Sequence, residues 1–171
     1  MILRPYQATD LEPLAGLFTA SVHALAAGHY SAAQLDAWAP RPPDPARWLV
    51  RLAPLQTVVA QVGAALAGFI AYEPEGRIVY LYVAPGFAHQ GVATRLCDEV
   101  ESRLRAQGVA ELGTEASLAA RPFFERRGYA VVEEQQVEFG GARFRRLAMR
   151  KVLGGAAPGG QAAPTAGRDA E

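Results

Sequence analysis

Between Tyr80 and Arg95 the chain reads Tyr-Leu-Tyr-Val-Ala-Pro-Gly-Phe-Ala-His-Gln-Gly-Val-Ala-Thr-Arg, a β-rich run, a compact turn and an amphipathic stretch that opens at a glycine. That order makes an anion site. The first N–H groups of a helix have no internal partner and lie at the positive end of its dipole, so a phosphate can take several hydrogen bonds from the main chain alone. Gly91 and Ala93 are small enough to let a pyrophosphate reach the backbone. In the run before the turn, Tyr80 and Tyr82 share one strand face by their spacing of two, and Glu115 lies on a later β-rich run. Phenols and carboxylates are the side chains of proton transfer. Many strand-turn-helix units bind nothing, so on residue types alone the binding reading and the purely structural one both stand.

These residues need a scaffold, and the periodicity supplies one. Ile2 to Pro5 reads as a first strand, and Thr9-Asp10-Leu11-Glu12 as a cap and acidic first turn for a helix carrying Leu14, Leu17, Phe18 and Val22 and ending near Gly28. Ser31 caps a second helix, Ala32 to Trp38, which the prolines from Pro40 to Pro45 stop; Asp44 starts a third around Trp48. Thr57 to Ala60, Leu66 to Tyr72 and Arg77 to Ala84 then read as three strands joined by hairpins. Gly91 to Gln107 is helical, with Ala93, Leu96, Val100 and Leu104 inward and the pairs Glu99/Arg103 and Glu101/Arg105 outward. A strand from Val109 to Ala116, a helix through Phe123 to Arg127 and strands Tyr129 to Phe139 and Arg143 to Lys151 follow. The alternation predicts an α/β (α+β) fold, a mixed and mostly antiparallel sheet of about seven strands flanked by about four helices. Residues 1–152 form the domain, and the Gly/Ala/Pro-rich segment 153–171 reads as a disordered tail.

Composition narrows the function. Seventeen Lys+Arg balance seventeen Asp+Glu, so no global field attracts nucleic acid or an anionic membrane. The single cysteine, Cys97, excludes an internal disulfide and a CxxC metal or redox pair, and the three histidines are too scattered for an HExxH site; no metal is expected. The N-terminus lacks the pattern of a signal peptide, and no stretch approaches the roughly 20 apolar residues of a membrane span. The expectation is a cytoplasmic protein without nucleic-acid or membrane partners.

Leu81-Tyr-Val-Ala-Pro, Gln90-Gly-Val-Ala-Thr-Arg-Leu and Phe123-Phe-Glu-Arg-Arg-Gly-Tyr129 together resemble the GNAT superfamily of acetyl-CoA-dependent N-acetyltransferases. The likeness runs from Leu3-Arg-Pro-Tyr to Met149-Arg-Lys. Through Ser21-Val-His, Gln34-Leu-Asp-Ala-Trp-Ala-Pro and Thr114-Glu-Ala-Ser the chain is most similar to a bacterial branch of acetyltransferases whose acceptors are largely unassigned. The family's phosphate loop, Gln/Arg-x-x-Gly-x-Gly/Ala, falls on Ala88-His89-Gln90-Gly91-Val92-Ala93, followed by Thr94. Ala88 departs from the pattern's polar first position but keeps its backbone N–H. His89 either touches phosphate or points to water. The resemblance further implies that the strand ending at Val83 splays from the one ending at Ala116, that a β-bulge provides the opening, and that Leu81, Tyr82 and Val83 offer backbone groups to pantetheine. A main-chain N–H would face the thioester carbonyl. Ser117 either lies beside the pantetheine arm, where the family often has Asn, or caps a helix.

The reaction implied is direct attack of a neutral amine on the thioester. In many relatives a tyrosine four residues before the glycine of the final helix serves as acid; here that position is Phe124, which is expected to pack against the cofactor arm. The carboxylate often found early on the central strand is replaced by Arg77. Tyr82 and Glu115 are the substitutes, with Tyr80 and Tyr129 as further phenols; each also has a plain packing role open to it. Acceptor recognition is expected from His23, Tyr30 and Trp38, with His29 and Gln34 nearby, and Glu133, Glu134 and Glu138 would make an acidic lip for a cationic amine. The Arg126-Arg127 pair reads as a solvated helix end. The reading is thus an acetyltransferase acting on an amine of a small molecule or peptide, with a homodimer through the C-terminal strands open to it. Its rival is a non-catalytic acyl-CoA-binding sensor marked by Phe124 and Arg77.

Overall fold

The computed structural model of the chain describes residues 1–154. Seven strands form one sheet in the order β1-β2-β3-β4-β5-β7-β6: β1 (Ile2–Pro5), β2 (Gln56–Val62), β3 (Ala65–Tyr72), β4 (Arg77–Val83), β5 (Glu111–Ser117), β6 (Ala130–Phe139) and β7 (Ala142–Val152). Every pairing is antiparallel except β4 with β5. Five α-helices cover it, each at a place where the sequence suggests one: α1 (Leu11–Leu25), α2 (Ala32–Trp38), α3 (Pro45–Leu52), α4 (Val92–Ala106) and α5 (Arg121–Arg126). None of the described helices is long and apolar enough to cross a membrane.

Two cores lie on opposite faces of the sheet. On one, α4 places Leu96, Val100 and Leu104 against Ile70, Tyr72, Ile78 and Leu112, with Phe124 and Tyr129 beside them. On the other, α1 and α3 place Leu14, Phe18 and Trp48 against Val59, Phe69 and Phe144. Gly68 lets α4 lie close to the sheet, because a Cβ there would stand 2.9 Å from Val92 Cγ1 and 2.8 Å from the Tyr82 carbonyl oxygen. Caps define the short helices. The Ser31 hydroxyl accepts from the Gln34 N–H and the Asp44 carboxylate from the Arg47 N–H, so α2 and α3 start where those residues require.

Four expectations are corrected. Leu153 belongs to the domain: it is 2% exposed and its N–H donates to the Ala110 carbonyl at 2.9 Å, while 155–171, the rest of the expected tail, lies outside the described residues. Glu101 is buried and does not pair with Arg105. It follows Cys97 by one helical turn in the inward stripe, and its carboxylate accepts from Arg127 at 2.9 Å and Lys151 at 2.8 Å. Arg127 is accordingly no solvated helix end; it also meets Asp98 at 2.8 Å, tying α5 to α4. Asp10 serves the 3-10 turn before α1, accepting from the Gln7 N–H and from Arg4 at 2.7 Å, an ion pair that holds its carboxyl below the usual range.

Candidate active site

Strands β4 and β5 pair only at Arg77↔Gly113 and Ile78↔Thr114, and beyond that they part. The cause is local. Ala71 pairs with Tyr80 but Tyr72 with Ile78, so Val79 is an extra residue, a β-bulge that turns β4 away from its neighbour. It also inverts the strand's faces: Ile78, Leu81 and Val83 pack on the α4 side, and Tyr80 and Tyr82 on the α1–α3 side. From Tyr80 onward one edge of β4 faces no strand, because β5 pairs on its other side with β7 through Ser117↔Arg146. Unpaired N–H and C=O groups on such an edge can accept an extended ligand as a further strand.

At the end of β4, a 3-10 turn over Pro85–Phe87 leads into α4. Gly91 is its N-cap with φ +78°, a left-handed conformation that glycine adopts without strain, and no side chain caps the helix. A Cβ at Gly91 would meet nothing within 4 Å, so the requirement for glycine within the chain comes from its backbone angle. His89 is also left-handed, at φ 59°, and exposed. The Gln90 amide donates to the Gly86 carbonyl at 2.9 Å and closes the loop on itself. These features fit a diphosphate: free helix N–H groups, an open approach to Gly91 and no acidic side chain from Ala84 to Cys97.

On the α1–α3 face, a cleft of about 560 Å³ opens beside the parting strands. Tyr80 and Tyr82 of β4, Glu115 and Ser117 of β5, and Trp38 and Phe144 are among its walls. Tyr82 is held edge-on by Phe18 at 4.8 Å between ring centroids and lies 5.7 Å from Phe69. Burial pushes its phenol far above the ordinary range, against smaller opposing pulls from Trp38 and Arg51, so the group keeps its proton at any working pH. Glu115 accepts from Arg77 Nε at 3.1 Å, and Arg77 also pairs with Glu73 at 3.2 Å. Arg77, placed where a carboxylate was sought on β4, thus brings one in from β5.

The expected acceptor residues separate. Tyr30 and Trp38 reach the cleft, but Tyr30 spends its hydroxyl on the fold, accepting from the Leu118 N–H at 2.9 Å and donating to the Arg145 carbonyl at 3.1 Å. Its phenol is raised, by burial foremost. His23 is not among the cleft residues; its Nε2 faces the Ala39 carbonyl at 2.8 Å and ties α1 to the end of α2. His29 is exposed, and Gln34 caps α2 while donating to the Arg143 carbonyl. Phe124 is 3% exposed and packs on Tyr129 at 5.1 Å, filling the core under α5. Ser117 accepts from the Ala120 N–H at 3.1 Å, closing the turn into α5 while it lines the cleft. The three glutamates of the expected acidic lip are not among the cleft residues: Glu133 accepts from Gln135, Glu134 pairs with Arg145, and Glu138 with Arg143. Cys97 is buried and its thiol is pushed up to about 12, so it is no nucleophile.

Sequence reading passed over Arg47, Arg51 and Arg146, which line the same cleft. Signals for them exist. Arg47 and Arg51 are one helical turn apart on either side of buried Trp48, and Arg146 shares strand parity with buried Phe144.

Known proteins share this fold. The family profile described as Acetyltransferase (GNAT) domain matches residues 27–153. The Escherichia coli (strain K12) protein named Uncharacterized N-acetyltransferase YafP is 38% identical over 148 residues, which are 86% of this chain and 93% of that protein. A crystal structure from Rhodopseudomonas palustris, described as a GCN5-related N-acetyltransferase and aminotransferase class-II, superposes with a TM-score of 0.85 at 34% identity, covering 89% of this chain and 95% of its own. The PaiA N-acetyltransferase of Thermoplasma acidophilum, solved with coenzyme A, shares the fold at a TM-score of 0.69 and 20% identity, with 90% of this chain and 100% of that one covered. With a family profile spanning most of the chain and a relative this similar over nearly its whole length, the protein belongs to the GNAT family of acetyltransferases.

Proposed function

We propose that this acetyltransferase takes acetyl-CoA in the wedge between β4 and β5 and passes the acetyl group to a neutral amine held in the adjoining cleft. The observation that carries the reading is the coincidence of three features at one place: the Val79 bulge, the unpaired edge of β4 and the uncapped start of α4. When bound, acetyl-CoA supplies the activated acyl group. The backbone from Ala88 through His89, Gln90, Gly91, Val92, Ala93 and Thr94 holds the pyrophosphate, with the dipole of α4 behind it. Leu81, Tyr82 and Val83 pair their free backbone groups with the pantetheine amides, and Ser117 lies on the opposite bank. Phe124 acts from beneath, as packing that fixes α5.

Tyr82 is the hydrogen-bond donor to the departing sulfur. Its burial keeps the hydroxyl protonated, which suits it to hold the leaving thiolate by a hydrogen bond, the sulfur taking its proton from water, and unsuits it to act as a base. Glu115, oriented by Arg77, receives through water the proton that the amine sheds as its nitrogen bonds to the acyl carbon. Tyr30 and Trp38 form the acceptor's aromatic wall; His23 supports that wall from α1. The reading is of a cytoplasmic enzyme with a small amine or a peptide end as its second substrate.

Two readouts on the full chain test this. Thermal unfolding should shift upward with acetyl-CoA, and thiol release should exceed buffer when amines are added. Tyr82→Phe should keep the thermal shift and lower kcat by roughly 10²-fold, the lower range for loss of one hydrogen-bond donor to a developing anion. Absence of a shift would remove the donor assignment. Unchanged turnover in both Tyr82→Phe and Glu115→Gln would remove the roles of these two side chains.

A further inference from the structure

The acceptor end of the cleft carries an excess of positive charge. Among the described residues, nine of fifteen arginines have a carboxylate within salt-bridge distance, and Arg47, Arg51, Arg95, Arg105, Arg126 and Arg146 do not. Half of those six, Arg47, Arg51 and Arg146, line one cleft. The carboxylates on its walls are already committed, Asp36 to Arg41 at 3.1 Å and Glu115 to Arg77 at 3.1 Å. In a chain whose formal charges sum to zero, three uncompensated guanidiniums around one hollow make a local field that net charge conceals.

The three differ in how firmly they are held. Arg51 is half-buried, its guanidinium 5.2 Å from the centre of the Trp48 ring, and its charge is felt at the Tyr82 phenol. Arg146 stands opposite Ser117 in the β5–β7 register, with Nε donating to the Gln135 amide oxygen at 2.8 Å, which leaves its terminal N–H groups for another acceptor. Arg47 is exposed, one turn from Arg51 along α3. A planar guanidinium fixed by stacking or by one hydrogen bond is prepared for a carboxylate or phosphonate.

From this we infer that the acceptor is an amine that also carries an oxyanion, an amino acid with an apolar or aromatic body, whose acidic group is taken by Arg51 and Arg146 while Arg47 draws it in at the rim. The inference rests on the acetyl-transfer reading given above and names the class of its second substrate. A polycationic amine is excluded by the same charges, since no wall carboxylate is free to receive it and three guanidiniums repel it. The aromatic walls, Trp38, Phe144 and Tyr82, meet the body of the substrate. The cationic surroundings also favour the neutral form of the attacking amine over its ammonium.

Matched pairs test it: phenylalanine against phenethylamine and phenylalaninamide, and tryptophan against tryptamine, each offered with acetyl-CoA to the full chain and followed by thiol release. The acid of each set should exceed its carboxylate-free partners by at least tenfold in kcat/KM, chiefly through KM, and the preference should fade with added salt. Arg51→Leu and Arg146→Leu should bring the ratio close to one while acetyl-CoA still raises the unfolding temperature; Arg105→Leu, outside the cleft, should keep the ratio. Carboxylate-free amines used as well as acids, or a preference that survives both variants, overturns the inference. If no member of any set is acetylated, thermal unfolding with coenzyme A and each amine decides: equal stabilisation by acids and carboxylate-free members overturns it, and selective stabilisation by the acids supports it. Failure of acetyl-CoA itself to stabilise the protein is a different result, and sinks the underlying reading instead.

Discussion

The two ends of the site are made of different material. At the α4 end the groups on offer to a ligand are backbone N–H groups, displayed by a left-handed glycine, and no side chain caps the helix. At the cleft end nearly everything is side chain, gathered from α1, α2, α3, β4, β5, β6 and β7. A backbone site tolerates many sequences but fails if its conformation or its open approach is lost. A side-chain site survives small shifts of backbone but changes specificity with single residues. The donor end should therefore break through geometry, and the acceptor end through identity.

The largest expected effect probes what holds the donor end rigid. Glu101 joins α4 to α5 and β7 through Arg127 and Lys151, and it is 5% exposed. Glu101→Ala leaves Lys151 without its anion and Arg127 with exposed Asp98 alone, which should cost about 3–5 kcal/mol of stability by urea unfolding. A loss below about 1 kcal/mol would mean the cluster is wetter than its burial implies, and that packing alone seats α4.

Gly91→Glu acts on the loop itself. It forces a side chain into a left-handed position and puts negative charge where the pyrophosphate is proposed to sit. The stabilisation by acetyl-CoA at about 100 times Kd, roughly 2.7 kcal/mol, should vanish, a loss of about 5 to 10 °C of thermal shift. On the other side of the comparison, Trp38→Ala should leave that shift in place. It removes edge contacts with Tyr30 at 5.4 Å and Phe144 at 6.2 Å, worth about 0.5–1.5 kcal/mol each, and should raise the acceptor KM. A variant that lost both readouts together would show that the two ends are not separable.

That contrast also explains what could be read without coordinates. Helices α2 and α3 begin and end where Ser31, Asp44 and the surrounding prolines place them, because capping is a local interaction carried by adjacent residues. The turn, the Gly91 cap and the start of α4 are legible for the same reason: they are consecutive. Glu101, Arg127 and Leu153 were misplaced because their partners lie 26 to 50 residues away, or across β5, and periodicity cannot report a distant cation. The bulge at Val79 has no residue signature of its own, yet it decides which face Tyr80 and Tyr82 occupy. The cleft arginines came from α3 and β7, elements whose meeting only the fold arranges.

The smallest effect at ordinary pH concerns three phenols. Tyr30 and Tyr82 line the cleft and Tyr129 lies in the core under α5; all are raised, in each case by burial foremost. Unfolded, each would ionise near 10. Below that pH both states keep the proton, so the three contribute no pH dependence. Above it the unfolded chain loses protons first and is favoured, by up to about 1.4 kcal/mol per pH unit for each phenol still protonated in the fold. The urea midpoint should thus be flat with respect to these groups up to about pH 9.5 and then fall. Tyr129→Phe should flatten that fall, since its hydroxyl is buried without a partner among the described residues and the substitution removes nothing it was bonded to. Tyr82→Phe should flatten it too if the cleft stays as dry as the opposite core. Flattening by Tyr129→Phe alone would mean that water reaches the Tyr82 phenol in solution, and with it the room the acceptor needs.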